Sequence, residues 1–214
     1  MKYLIVCGGK IDKEFGLNEI KTDGIDVIIA ADSGMDFLYE NGVTPDIIVG
    51  DFDSATTKAL EFFERKGQTE IHRLNPVKDD TDTEYAIRLA IKHGARSIVV
   101  IGATGSRIDH VLGNISLLGI GLESGIDIRI IDANNRIRMA DKPVTIEKLS
   151  QYGRFVSLIA LTDDNEVSLK GFKYPVTDYS FDRFTSLGIS NEIVDDKAVI
   201  DIHRGKFIII ESKD

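Results

Sequence analysis

Two clusters of carboxylates carry the strongest chemical signal in this chain. The first lies in residues 50–54 (GDFDS) and the second in residues 79–82 (DDTD). Each follows a short apolar run that is typical of a strand. Acids gathered at strand ends repel one another unless a cation lies between them. A hard divalent cation such as Mg²⁺, carrying a nucleotide phosphate, is the ion that such carboxylates favour.

The first two-thirds of the chain alternates short strand patterns with helical patterns. The strand patterns are rich in Ile and Val and lack polar alternation, as parallel strands covered on both faces do. They span residues 3–6, 27–31, 47–49, 71–74, 98–101 and 128–131. The helical patterns span residues 35–41, 56–66, 83–93 and 108–122, and most end near a glycine. This alternation predicts an α/β fold with an open, mostly parallel sheet flanked by helices.

The pattern changes from about residue 144 onward, where helical patterns of useful length no longer occur. The strand-like pieces there span residues 144–149, 155–160, 167–169, 198–203 and 206–211. Arg204-Gly205 separates the last two pieces and predicts a hairpin turn. We therefore expect an α/β domain over residues 1–135 and a small all-β sandwich domain over residues 140–214, with the boundary within residues 134–143.

Ligands bind outside the carboxyl ends of the strands in open parallel sheets. Polar loops fall at five such ends, in residues 8–9, 32–34, 50–54, 79–82 and 102–107. Gly102 and Gly105 would let main-chain amides approach phosphate oxygens, and Arg107 would add a cation. The same glycines could simply make tight turns, because their spacing matches neither a Walker A nor a Rossmann fingerprint. The gathering of five polar loops, rather than any one of them, indicates a site.

Several residues near these loops have a second interpretation. Asp82 could be a helix N-cap, although a cap does not explain the two acids that flank Phe52. Asp109 and His110 are adjacent on a helix and do not face each other, so we do not interpret them as a catalytic dyad. Residues 188–192 (GISNE) could grip a heterocycle or form an ordinary turn.

Composition narrows the class of protein. The formal net charge is −9, which disfavours a nucleic-acid-binding surface, because phosphate backbones require clustered Lys and Arg. Cys7 is the only cysteine, which excludes an internal disulfide and fits a reducing compartment. The longest apolar runs fall short of a membrane span, and the N-terminal segment is too short for a signal peptide. We expect a cytoplasmic protein that binds neither nucleic acid nor membrane.

Taken together, the motifs resemble those of the thiamin pyrophosphokinase family of the bacterial type. The matching strings are residues 31–34 (ADSG), 45–54 (PDIIVGDFDS), 78–82 (KDDTD), 105–110 (GSRIDH), 171–175 (GFKYP) and 188–192 (GISNE). They occur in the order that the family shows and span most of the chain.

The resemblance implies an enzyme that moves the pyrophosphoryl group of ATP onto the hydroxyethyl arm of thiamin. The products would be thiamin diphosphate and AMP. It also implies a homodimer in which thiamin lies between the α/β domain of one subunit and the β domain of its partner. The rival interpretations are a transferase that uses ATP and another alcohol, and a nucleotide or thiamin sensor. The paired acids favour turnover over sensing.

The resemblance further implies roles for individual residues. Mg²⁺ and the phosphates would be held by Asp51, Asp53 and Asp82, and Arg107 and Asp109 would complete the catalytic set. The nucleotide side would also include Asp32, Ser54, Asp79, Thr81, Gly105 and Ser106. Thiamin would contact Ser190, Asn191 and Tyr174. Either Asp82 or Asp53 would accept the proton of the thiamin hydroxyl.

One departure from the family pattern concerns the thiamin site. Some members carry a tryptophan shortly after the Ser-Asn pair, where it stacks on the pyrimidine. This chain has no tryptophan, and Glu192-Ile193 follow the pair instead. Stacking would then come from Tyr174 or Phe184, or be replaced by aliphatic contact.

Overall fold

The computed structural model describes residues 1–52, 56–75 and 80–214. These residues form two compact units, Met1–Ala133 and Asn134–Asp214. None of the helices in the described ranges combines the length and apolar character needed to cross a bilayer.

The first unit is built on a parallel sheet with the strand order β6-β5-β1-β2-β3-β4. The strands are β1 (Lys2–Val6), β2 (Val27–Ala31), β3 (Ile47–Gly50), β4 (Glu70–Arg73), β5 (Ser97–Ile101) and β6 (Asp127–Ile131). The helices are α1 (Lys13–Ile20), α2 (Gly34–Glu40), α3 (Thr57–Lys66), α4 (Asp82–Lys92) and α5 (Ile108–Ser124). The open α/β sheet predicted from the sequence is confirmed.

Continuous apolar runs explain why these strands form the centre of the unit. In β1, Leu4, Ile5 and Val6 are all fully buried, and Val100 and Ile101 of β5 are too. A strand buried on both faces needs apolar side chains at every position, which is the pattern of a parallel sheet covered by helices. The predicted bounds of the six strands therefore differ from the observed ones by only one residue.

Helix α1 is absent from the sequence prediction. It has only eight residues, and Gly16 is its one buried residue. A methyl group on Gly16 would come within 2.6 Å of the side chains of Ile11 and Phe37, so the helix packs closely through a glycine rather than through an apolar stripe. The start of the helix is fixed by an N-cap. The Asp12 carboxylate accepts a hydrogen bond of 2.9 Å from the main-chain N–H of Phe15.

The second unit contains two antiparallel sheets with the strand orders β12-β9-β14-β7 and β11-β10-β13-β8. The strands are β7 (Asn135–Ala140), β8 (Val144–Glu147), β9 (Phe155–Ala160), β10 (Glu166–Lys170), β11 (Val176–Ser180), β12 (Asn191–Glu192), β13 (Lys197–Arg204) and β14 (Phe207–Ser212), with a short 3₁₀ helix at Lys148–Ser150. Alternate residues of both sheets, such as Ile200 and Ile209, enter one buried cluster. The predicted β-sandwich is confirmed.

One local prediction for this unit is wrong. Arg204-Gly205 does not make a hairpin, because β13 pairs with β8 and β10 whereas β14 pairs with β7 and β9. The connection instead carries the chain from one sheet to the other. Gly205 has a φ of +89°, and a methyl group there would lie 2.3 Å from the Asn165 side-chain oxygen, so the crossing is tight.

Residues 134–143, where the sequence predicts the domain boundary, contain strand β7. Its arginines make the segment look like a solvated linker. Arg136 and Arg138 in fact pair with Glu211 of β14, at 2.7 and 3.4 Å. Glu211 is 1% exposed and also accepts a hydrogen bond of 3.0 Å from the main-chain N–H of Tyr152. Both arginines of β7 therefore form ion pairs within the unit.

The surroundings of Glu211 act on its pKa in opposite directions. Burial raises the pKa of Glu211, but the hydrogen bonds from Arg136 and from the Tyr152 N–H outweigh it, and the pKa is lowered overall. A carboxylate with a lowered pKa stabilises the fold above the ordinary Glu range, and this stability is lost as the pH falls through the lower folded value.

We expect Glu211→Gln to lower the free energy of unfolding by about 3 kcal/mol at pH 7, because it leaves two mostly buried arginines without their anion. The variant should also lose less stability than the parent protein when the pH is lowered below about 4. Urea titrations followed by circular dichroism would measure both effects. Glu61→Gln, which removes the exposed partner of Arg65, is the control and should cost less than about 0.5 kcal/mol. Equal effects of the two substitutions would contradict the assignment.

Candidate active site

Three carboxylates of the first unit meet at the carboxyl edge of its sheet. Asp32 follows β2, Asp51 follows β3, and Asp82 is the first residue of α4. Their closest oxygens lie within 4.8 Å of one another. The strands bring the first two together, because β2 and β3 are neighbours in parallel register and the Asp32 N–H continues the ladder to the Val49 carbonyl at 2.8 Å. We call Asp32, Asp51 and Asp82 the carboxylate cluster.

Asp32 is the most constrained member of the cluster. Its φ of +48° lies in the left-handed region, which costs energy for a residue other than glycine. Its Oδ1 atom is buried and has no hydrogen-bond partner among the described residues. Burial raises the pKa of Asp32, and the charges of Asp82 and Asp51 raise it further, against a lowering by the Ser33 N–H. Such an oxygen calls for a partner that the described residues do not supply.

A magnesium ion fits this donor set. Mg²⁺ takes oxygen ligands, is commonly held by one or two carboxylates, and keeps positions open for water and substrate phosphates. The cluster offers one oxygen from each of three carboxylates, including the buried oxygen of Asp32. Sequence reasoning assigned Asp32 to the nucleotide side but not to the metal.

Asp82 is the first residue of helix α4, and the residue before it, Thr81, caps the helix. The Thr81 hydroxyl accepts a hydrogen bond of 3.2 Å from the Glu84 N–H, so Thr81 and not Asp82 is the N-cap. The alternative interpretation of Asp82 as the cap is therefore wrong. Asp82 lies in the first turn, where the helix dipole favours a negative charge.

Other predicted residues of this edge lie outside the described residues. They are Asp53, Ser54 and Asp79. Phe52, next to Asp51, has a φ of +64°, and the Arg73 guanidinium lies 5.4 Å from the centre of its ring. A left-handed phenylalanine is a strained residue that its surroundings must hold in place.

The glycine loops divide into two kinds. Gly9 donates a hydrogen bond of 2.8 Å to the Gly102 carbonyl, and a methyl group on Gly9 would lie 2.3 Å from that oxygen. Gly102 has a φ of +70° and is equally crowded by the Cys7 carbonyl. These two glycines serve the close packing of loops. Gly105 is different, since a methyl group there would make only contacts of 3.9 Å.

A cavity of about 870 Å³ opens over the same edge. It is lined by the loops after β1, β2 and β5 and by the first turns of α4 and α5, and it includes Asp32, Thr81, Asp82, Gly105 and Ser106. Its volume is in the range of nucleotide-sized ligand sites. Four of the five predicted polar loops contribute described residues to its lining, and the loop at residues 50–54 does not.

Arg107 and Asp109 both line this cavity and pair with each other. The Arg107 guanidinium donates to both carboxylate oxygens of Asp109, at 3.2 and 2.6 Å. The hydrogen bond from Arg107 is the main cause that lowers the pKa of Asp109 to about 2. Both side chains are exposed, so the pair remains accessible to a ligand.

Sequence reasoning missed Asn114 and Lys10 in this cavity. The Asn114 side chain donates a hydrogen bond of 2.8 Å to the Ala103 carbonyl and so fixes the loop after β5 from helix α5. An amide within the largely apolar α5 segment was a signal that could have pointed to it. Lys10 adds an exposed cation to the lining, and the sequence offers no comparable signal for it.

The predicted thiamin contacts lie in the second unit and differ in exposure. Tyr174 is 62% exposed, and Ser190 is exposed with a φ of +60°. Asn191 is 7% exposed. Its side chain bonds to main-chain groups of Tyr174 and Glu192, at 2.9 to 3.1 Å. Asn191 is therefore a buried connector rather than an open surface residue.

Both units match domains of a known protein family. Residues 21–130 match the catalytic domain of thiamin pyrophosphokinase, and residues 143–207 match its vitamin B1 binding domain. The chain belongs to the thiamin pyrophosphokinase family. The resemblance found in the sequence motifs is thereby confirmed.

Individual relatives agree with this assignment. Thiamine pyrophosphokinase of Bacillus subtilis is 35% identical over 195 residues, which cover 90% of this chain and 90% of that protein. A crystal structure of thiamine pyrophosphokinase from Bacillus subtilis has a TM-score of 0.90 at 32% identity and covers 100% of both chains. That of thiamin pyrophosphokinase from Geobacillus thermodenitrificans has a TM-score of 0.87 at 29% identity and covers 100% of this chain and 98% of that chain.

The family membership settles the reaction. The enzyme transfers the pyrophosphoryl group of ATP to thiamin and produces thiamin diphosphate. Its substrates are thiamin and ATP. The interpretations as a sensor or as a transferase for another alcohol are set aside.

We expect Asp32→Asn to stabilise the protein in the absence of divalent cations, by about 1 kcal/mol, because it removes a buried negative charge from the carboxylate cluster. The same substitution should reduce the rise in melting temperature that Mg²⁺ causes. Thermal unfolding with EDTA and with MgCl₂ would measure both. Asp23→Asn, at an exposed position between α1 and β2, is the matched control and should change neither quantity. A normal Mg²⁺ response in Asp32→Asn would remove Asp32 from the metal site.

Proposed function

We propose that the transfer takes place at the carboxylate cluster, with Mg²⁺ held by Asp32, Asp51 and Asp82. The buried Oδ1 of Asp32, which has no partner among the described residues, is the observation that carries this proposal. Asp53, outside the described residues, joins the set because it belongs to the same motif as Asp51. The bound ion would neutralise charge on the phosphates of ATP.

The remaining residues of the cavity would bind the nucleotide. The Thr81 hydroxyl accepts a bond from its own helix and keeps its proton to donate to a phosphate oxygen. Gly105 and Ser106 offer main-chain N–H groups, and Arg107 offers a guanidinium that Asp109 already orients. Ser54 and Asp79 complete the nucleotide side in this proposal.

The reaction then requires positioning more than covalent chemistry by the protein. The hydroxyl oxygen of thiamin forms a bond to the β-phosphorus of ATP, the bond from that phosphorus to the bridging oxygen of the α-phosphate breaks, and AMP leaves with that oxygen. The hydroxyl proton passes to a carboxylate, for which we nominate Asp82 or Asp53. Alignment of the two substrates and neutralisation of the departing charge supply most of the acceleration.

Replacing Asp51 by Asn should lower kcat at least about a hundredfold, since it removes a charged contact to the transferring group. The assay would follow AMP and thiamin diphosphate together, which should appear in equal amounts and cease when EDTA is added. Asp53→Asn should behave in the same way. Asp23→Asn should keep normal turnover. Near-normal turnover and Mg²⁺ dependence in Asp51→Asn would contradict the metal assignment.

We further propose a cytoplasmic homodimer with thiamin bound between the first unit of one subunit and the second unit of its partner. Large apolar side chains next to Ser190 support a covered surface in the second unit. Phe184 is 90% exposed, Leu187 61% and Ile189 48%, and such clusters mark interaction or ligand sites. The cytoplasmic location is supported by the need for ATP as a co-substrate.

A shared site can be detected by mixing two impaired variants. Asp51→Asn damages only the first unit and Tyr174→Ala only the second, so a mixed dimer would contain one intact site built from the two undamaged units. At a thiamin concentration well below the parent KM, where Tyr174→Ala is impaired, unfolding and refolding the variants together should restore activity to about a quarter of the parent level, because half of the dimers are mixed and half of their sites are intact. Light scattering would confirm the dimer. Dimers without any recovery would place each site within a single chain.

A further inference from the structure

The buried side chain of Asn191 forms hydrogen bonds with both the N–H and the carbonyl group of Tyr174. Its amide nitrogen donates to the Tyr174 carbonyl at 2.9 Å, and its Oδ1 accepts from the Tyr174 N–H at 3.1 Å. The same oxygen accepts from the Glu192 N–H at 2.9 Å. An asparagine can donate twice and accept twice. Three of these four capacities are therefore used within the protein, and both capacities of the oxygen are filled.

Other contacts fix the residues on either side of Tyr174. The Lys173 N–H donates to the Glu192 carbonyl at 2.8 Å, and the Lys173 ammonium pairs with the Glu192 carboxylate at 2.9 Å. Arg154 holds the other oxygen of that carboxylate at 2.8 Å. Pro175 follows Tyr174 and restricts its main chain to extended conformations. The main chain at position 174 is thus fixed independently of any ligand.

The ring of Tyr174 contrasts with this fixed main chain. The residue is 62% exposed, and the contact to its ring is the Lys173 ammonium at 5.6 Å from the ring centre. Phe184 is the other aromatic candidate, but its N–H donates to the carboxylate of Asp182, only two residues away, whereas the main chain of Tyr174 is tied to a separate strand. A ring on a fixed main chain loses less entropy on binding than a ring on a mobile one. Tyr174 is therefore the better prepared stacking surface.

We propose that Asn191 is a positioning residue for thiamin, and that it acts by presenting the Tyr174 ring as the stacking face for the heteroaromatic rings of the substrate. The inference rests on the proposed thiamin site of the second unit. Thiamin carries a flat pyrimidine and a cationic thiazolium, and both suit the face of an aromatic ring. Because the chain has no tryptophan, Tyr174 takes the stacking role.

A double-mutant cycle distinguishes positioning from direct contact. If Asn191 acts through Tyr174, then Asn191→Ala raises KM for thiamin about tenfold in the parent protein and less than about twofold in the Tyr174→Ala background. In each case kcat at saturating thiamin and KM for ATP should stay within about twofold. Equal factors in the two backgrounds would mean that Asn191 contacts thiamin directly and would overturn the proposal.

A binding measurement tests the same proposal without turnover. Tyr174→Trp would carry the only tryptophan of the chain, and its fluorescence should be quenched when thiamin is added in the presence of Mg²⁺ and a non-hydrolysable ATP analogue. Adding Asn191→Ala to this variant should shift the quenching midpoint to about tenfold higher thiamin. Quenching with an unchanged midpoint would overturn the positioning role. Absence of quenching in a variant that still produces thiamin diphosphate would overturn the stacking role of Tyr174.

Two further variants keep the test decisive if Asn191→Ala folds poorly. Asn191→Asp keeps both accepting contacts of Oδ1 but sets an oxygen against the Tyr174 carbonyl in place of the donor, and the rise in KM for thiamin that it causes should also disappear in the Tyr174→Ala background. Tyr179→Ala, which removes an exposed tyrosine of β11, is the matched control and should leave KM for thiamin within about twofold. A parent protein that forms no thiamin diphosphate would contradict the proposed function itself, whereas an active parent with additive effects contradicts only this inference.

Discussion

Repulsion among carboxylates is the constraint on which the first unit depends. Asp32, Asp51 and Asp82 place their oxygens within 4.8 Å of one another, and in water such groups would move apart. The fold prevents this because two of them continue adjacent parallel strands and the third begins a helix that packs against β1, β2 and β3. The helix dipole favours the charge on Asp82. A bound cation would convert the remaining repulsion into attraction.

The main chain next to the carboxylate cluster is also strained. In the described part of the first unit, the non-glycine residues with left-handed φ are Asp32 and Phe52, one a member of the cluster and the other adjacent to Asp51. Strained residues persist only where surrounding contacts hold them. Burial of the strands provides that support, since the residues before Asp32 and Asp51 are among the most buried of the chain. The apolar core thus supports a site that is unfavourable in isolation.

The sequence predicts features that local composition determines. Strands buried on both faces must be apolar at each position, so the six parallel strands were found nearly to the residue. Features that depend on distant partners were not found. Strand β7 contains arginines and therefore looks polar in the sequence. Their buried partner, Glu211, lies more than seventy residues away. Helix α1 packs through Gly16 against Ile11 and Phe37. Arg204-Gly205 has the composition of a hairpin turn, but the strands before and after it belong to different sheets.

The candidate site divides in the same way. Asp51 and Asp82 were predicted, together with Asp53, as metal ligands because they lie in carboxylate-rich motifs. Asp32 stands alone in its loop, and only the register of β2 against β3 brings it to them. Asn191 presents the opposite case, because its motif marks it as a ligand contact while its burial makes it a connector. A motif identifies residues that a site requires, but it does not say whether a residue faces the ligand or holds another residue that does.

The two units therefore prepare for their ligands by opposite physical means. The first unit leaves a carboxylate oxygen of Asp32 buried without a partner among the described residues, a position that a cation carrying phosphates would complete. The second unit instead satisfies the buried side chain of Asn191 through three internal hydrogen bonds and leaves the Tyr174 ring exposed. The first arrangement selects a ligand by charge and the second by shape and polarisability. This division would suit a reaction between a polyanion, bound through a metal cation, and a flat heteroaromatic ligand.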